Sequence, residues 1–269
     1  MMQPWRPDAQ GIKCKGGNTA PMDNTQFQRR VALLLAIVLA PLLYLLLLHT
    51  PIPQDKGYHF FADARTCLGI NNFGNVASNL AFLLVGITGW FWCCKNLKTG
   101  ARHAWMVFFF GVALVFVGSG YYHAMPNDHT LVWDRLPMTL AFMGLFTALL
   151  SEHLGARFER PLLILALVIG VASVFWWRYT GDLRVYIWVQ LAPLLAIPLV
   201  LAMFPGQYTH RIYLLYGLGC YVLAKVAEHY DQTTYALTSL LVSGHSLKHL
   251  LAAMAPLFLY LMLRRREAL

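Results

Sequence analysis

The chain has 269 residues, 58% of them hydrophobic and only 12% charged, with a mean hydropathy of +0.52. Soluble domains carry about 25% charged residues, so a water-soluble globule is excluded and one all-α membrane-embedded domain is expected. The net charge of +9 needs no nucleic-acid partner, because excess Lys and Arg collect in the cytoplasmic loops of membrane proteins.

Residues 1–30 are polar and basic and read as a cytoplasmic tail. The apolar run Val31 to His49 follows Arg29-Arg30; it is longer than a signal-peptide core and lacks a small-residue cleavage site, so a retained helix is expected over 31–49. Seven more apolar segments come next, near Asn75 to Cys94, Ala104 to His123, Trp133 to Leu150, Pro161 to Trp177, Val185 to Phe204, Ile212 to His229 and Leu240 to Leu263. With an even number of spans, both termini share one side. That side receives Arg29, Arg30, Lys95, Lys98, Arg102, Arg157, Arg160, Arg211 and Arg264 to Arg266, against Lys56, Arg65, Arg135, Arg178 and Arg184 opposite. The bias predicts N-in and C-in. The five cysteines form no CxxC pair, which leaves any metal to nitrogen and oxygen ligands.

Polar side chains within hydrocarbon are costly and face the bundle interior, where they pair or work. In this topology Asn75, Ser78 and Asn79, then Ser119 and His123, Asp134, Gln190, Lys225, Glu228 and His229, and His245 and His249 all fall at one depth near the outer face. His245 and His249 are four apart, so on a helix their imidazoles share a face and can hold one ion. His123 stands at the right depth to be the third ligand of a site with one open position. Each feature has a blander reading: HxxxH alone is a weak signal, Ser119 can bond its own backbone, and Asp134 can be a helix N-terminal carboxylate. Lys225, Glu228 and Lys248 read as a structural ion-pair group, since buried charges need partners.

At these residues the sequence resembles the alkaline ceramidase family, within the CREST group of seven-helix membrane hydrolases related to the progestin and adiponectin receptors. The resemblance rests on FGNVASN, on Ser119-x3-His123, on Asp134 followed by Pro137-Met138, and on His245-x3-His249, in family order. DRLPM and SGHSLKH look closer to bacterial members. It implies a seven-helix hydrolase domain over 58–266, preceded by the extra helix at 31–49. It also implies zinc on His123, His245 and His249, with Ser119 and Asp134 beside the catalytic water, and hydrolysis of a ceramide-like N-acyl lipid taken from the bilayer. The compartment would be the inner membrane of a bacterium or the ER or Golgi membrane of a eukaryote. Animal and yeast members carry an acidic, Trp-containing calcium segment before the first core helix. Here HFFADARTCLGINN offers Asp63 without Glu or Trp, and Asn72 stands where those members have Glu, so the resemblance does not carry calcium control over.

Two other classes fit parts of the pattern. A receptor-like protein of the same fold would use zinc structurally or for weak hydrolysis. A transporter would use Lys225, Glu228 and Lys248 as a relay, but it would usually show repeats or interrupted helix pairs, and the sequence shows no such symmetry.

Overall fold

The computed structural model describes residues 23–98 and 100–269, so most of the expected basic tail lies outside the described residues. The apolar segments form α1 (Asn24–Leu48), α2 (Phe73–Ser78), α3 (Leu80–Asn96), α4 (Arg102–Ala124), α5 (Asp128–Leu154), α6 (Glu159–Thr180), α7 (Arg184–Met203), α8 (Tyr213–His229), the short α9 (Asp231–Leu237) and α10 (Gly244–Arg265). Among the described residues, six spans are long and apolar enough to cross a membrane: α1, α2 with α3, α4, α6 with the turn before it, α7 and α10. The chain is an integral multi-pass membrane protein. Two further helices complete the bundle: α5, whose polar residues include Asp134, Arg135 and Glu152, and α8, with 17 residues.

Helix boundaries follow local chemistry. α1 starts at Asn24 rather than Val31, because nothing between Asn24 and Arg30 breaks a helix, and Phe27 packs edge-on against Phe204. α5 starts at Asp128, earlier than the expected Trp133. Asn127 and Thr130 form a capping box there, with Asn127 accepting from the backbone N–H groups of His129 and Thr130. Asp134 therefore lies inside the helix, and Asp128 takes the acidic first-turn position. α10 starts later than the expected Leu240. Ser239 and Leu240 adopt left-handed backbone, and Ser243 caps the helix by accepting from Ser246 N.

In the core α4 packs against α3 and α5, and α8 packs against α10. Trp105, Phe109, Met143, Ala148 and Leu149 are buried there. The closest approach is at Gly118, where any β-carbon would collide with the Trp133 carbonyl. Only glycine lets the two backbones meet at that level, and the next residues along each chain are Ser119 and Asp134. α1 lies on α7, burying Leu34 and Val38 and leaving Leu33, Leu35, Leu43, Leu47 and Leu48 exposed on its outer surface, as a lipid-facing helix requires.

Candidate metal centre

His123 lies in the last turn of α4, and His245 and His249 occupy the first two turns of α10. All three are buried, and one ligand nitrogen from each lies within 4.8 Å of the others. The start of α10 is set by two anchors. A β-carbon on Gly244 would collide with the Ala227 carbonyl, so the helix start is seated against the end of α8. Asp231 accepts from His245 N at 2.7 Å, and its other oxygen accepts from Ala62 N at 2.8 Å. One carboxylate thus ties the segment before α2 to the helix that carries two of the histidines.

Each imidazole has distinct surroundings. Nδ1 of His249 meets Ser78 Oγ at 2.8 Å, and that hydroxyl in turn donates to Asn75 O at 3.0 Å. With the Nδ1 side engaged, the Nε2 side is left for a ligand. Nδ1 of His123 is buried with no hydrogen-bond partner among the described residues, an orphan that a buried ring does not normally tolerate. Nε2 of His245 lies 3.3 Å from Lys248 Nζ, an ammonium that Glu228 Oε1 holds from the other side at 2.6 Å. The Phe61 ring covers the cluster, 4.7 Å from both His123 and His245. Asn72, in left-handed backbone, donates from Nδ2 to the His123 carbonyl at 2.8 Å. Three convergent imidazoles, one of them orphaned, fit a metal ion bound through nitrogen.

Ser119 and Asp134 are buried, and both line one cavity with His249. The cavity is about 390 Å³. Its polar end also holds Lys248, Glu228 and Arg135, and it continues between α4, α5, α7, α8 and α10 along Phe108, Val112, Met138, Phe142, Leu145, Ile197 and Leu259. His123, His245 and His249 thus form one cluster, and Ser119 and Asp134 line the cavity that His249 also lines. Lys225, Glu228 and Lys248 form the ion-pair group expected of them, with Glu228 between the two lysines. His229 is not part of the histidine cluster; it stacks edge-on against Tyr230. Asp63 is held by Arg65, whose Nε and Nη2 each donate at 2.7 Å. That guanidinium, with the Arg65 backbone N–H and the Tyr235 hydroxyl, keeps the Asp63 carboxyl below the usual carboxylate range despite its burial.

Asp231 and Phe61 escape sequence reasoning. Neither lies at a spacing that links it to the histidines, and no periodicity joins positions 61, 231 and 245. The capping role of Ser243 was legible in principle, as a Ser placed before an apolar periodic run.

A family model described as Ceramidase matches residues 67–266. Neither the curated proteins nor the solved structures include a match to this chain.

Proposed function

Because the chain belongs to the ceramidase family, we propose that it is a zinc-dependent membrane amidase that cleaves the N-acyl bond of ceramide-like lipids to a fatty acid and a sphingoid base. The observation that carries this reading is the buried cluster of His123, His245 and His249, one member of which, His249, lines the same cavity as Ser119 and Asp134. In this reading residues 58–266 form a seven-helix hydrolase domain, α1 is an added helix, and residues 1–30 are a cytoplasmic tail. Both termini face the cytoplasm, and the site lies near the outer or lumenal surface, as the basic residues predict.

The family and the donor set favour zinc. Held by the three imidazoles, it would supply Lewis acidity to polarise the amide carbonyl and activate water near neutral pH. Ser78 and Asn75 orient His249, Asp231 sets the start of the helix bearing His245 and His249, and Asn72 fixes the last turn of α4. Asp134, as a carboxylate, takes the proton from the attacking water at Oδ and returns it to the leaving nitrogen. Ser119 donates from Oγ to the oxygen on which charge develops. Phe61 packs edge-on against His123 and His245 and limits the rotation of both rings. The apolar stretch of the cavity accepts the acyl chain, so the amide need not leave the level of the membrane boundary.

The test is hydrolysis of N-acyl-sphingosine in mixed micelles by the purified chain, with fatty acid and base quantified together. Asp134→Ala should lose activity by at least about 100-fold, as expected for removing a general acid-base group, and Ser119→Ala by a comparable factor. Wild-type protein that is folded and zinc-loaded yet releases no sphingoid base would overturn the assignment.

A further inference from the structure

The helix α1 and the linker after it lie outside the residues that the family model matches, yet they are fastened to the bundle with side-chain specificity. Arg30 donates to the Met203 carbonyl, Trp188 Nε1 to the Val38 carbonyl at 2.9 Å, and Arg184 Nη1 to the Leu45 and His49 carbonyls at 3.0 and 2.6 Å. A helix that served only as a membrane anchor would need none of these bonds. The linker is pinned next: Leu183 N donates to the Ile52 carbonyl at 2.9 Å, and Ile52 N to Asp182 Oδ1 at 3.3 Å. Pro53, Gln54, Asp55 and Tyr58 are thereby laid over the polar end of the cavity, which they line.

Two contacts join this roof to the cavity wall. Gln54 Oε1 accepts from Arg135 Nη2, and the Tyr58 hydroxyl donates to Glu228 Oε1 at 3.5 Å. Burial, together with the charges of Glu228 and Asp134, pushes the Tyr58 phenol well above its ordinary pKa, so it remains a donor. Arg135 follows Asp134 in the chain and is 5% exposed. Its guanidinium stacks on Trp177 at 3.9 Å and Tyr186 at 4.7 Å. Nη1 has no hydrogen-bond partner, and among the described residues no carboxylate lies within ion-pair distance of this side chain. Glu228 is already held between Lys225 and Lys248 and does not neutralise it. A guanidinium offers only donors, in a planar fork that matches oxyanions, and the unpartnered Nη1 leaves one side of that fork open.

We propose that Arg135, held from the roof by Gln54 and flanked by Tyr58, is a headgroup subsite that takes an oxyanion on the polar end of the N-acyl lipid, and that α1 serves to clamp this roof in place. The proposal rests on reading the cavity as the lipid amidase site. It makes headgroup selection depend on Gln54 and Tyr58, which precede the family-matched segment, acting on Arg135 within it.

The test measures equilibrium binding of two lipids, N-palmitoyl-sphingosine and its 1-phosphate, to the full-length zinc-loaded protein in detergent, and follows hydrolysis of both in parallel. The wild type should bind the phosphate form at least about tenfold more tightly, the value of one charge-assisted hydrogen bond. Arg135→Gln should remove that preference. Gln54→Ala, at a half-exposed linker position where folding is not at stake, should weaken it. Equal affinity for the two lipids in the wild type, absence of binding by either, or a preference that survives Arg135→Gln would overturn the subsite. The two readings fail separately. A binding preference without any hydrolysis sinks the amidase and leaves the subsite standing, whereas hydrolysis without a preference does the reverse.

Discussion

Replacing Asp231 by alanine removes a carboxylate that joins the segment before α2 to the start of α10. Its two oxygens accept from His245 N at 2.7 Å and Ala62 N at 2.8 Å, and the first of these bonds satisfies an otherwise orphaned donor at a helix N-terminus. A hydrogen bond to a charged acceptor contributes about 1.5–3 kcal/mol. Asp231 is partly exposed, so water can replace part of what is lost, and a net cost of about 2 kcal/mol is expected rather than the sum. At about 2–4 °C per kcal/mol for a chain of this size, the melting temperature should fall by roughly 4–8 °C. The first turn of α10 carries His245, so zinc affinity should fall with it, by about 10-fold or more, as when the supports of a metal ligand are removed. Asp231→Asn keeps one acceptor and should fall between the two. Thermal melts in detergent, with and without zinc, measure both effects. An alanine variant that melts with the wild type and binds zinc equally would refute the claim that this carboxylate positions the site.

Other consequences follow from individual contacts. Ser78→Ala removes the hydroxyl 2.8 Å from His249 Nδ1 and should weaken zinc binding by about 10-fold with little change in melting temperature; competition with a zinc-sensitive dye reads this. Gly118→Ala forces α4 away from the Trp133 carbonyl, costing about 1–3 kcal/mol and separating Ser119 from Asp134, so stability and hydrolysis should both fall. Gly219→Ala, inside α8 and meeting nothing within 4 Å, should instead stabilise by up to about 1 kcal/mol. Burial alone would raise the Asp182 carboxyl, but the Arg184 side chain and backbone, with Ile52 N, outweigh it and hold it at about 2. A depressed carboxyl stabilises the fold fully above its unfolded pKa of about 3.9 and loses that contribution as pH falls towards 2. Melts between pH 5 and 2 should therefore drop less steeply in Asp182→Asn than in the wild type.

Much of this architecture is legible from residue type and depth. The helix cores emerge from continuous apolar runs, because each must satisfy its own backbone in lipid. His123, His245 and His249 can be brought together from sequence because polar residues at one depth in a bundle converge. Helix starts are less legible. The Asn127 capping box moves the start of α5 to Asp128, and Ser243 delays α10 to Gly244. The supports of the site are hidden altogether, since Asp231, Phe61 and Gln54 act across distant parts of the chain through contacts that no periodicity encodes. Arg135 shows the same limit: on charge bias it counts as a loop residue, yet it is buried in α5 against Trp177 and Tyr186.

The most direct test of the central claim is metal analysis of the purified chain beside His123→Ala, His245→Ala and His249→Ala, each checked for retained helical content. One zinc per wild-type chain is expected, with zinc lost from each folded variant. A folded wild type that takes up no zinc on reconstitution, or a His249→Ala protein that holds zinc as tightly as the wild type, would contradict it.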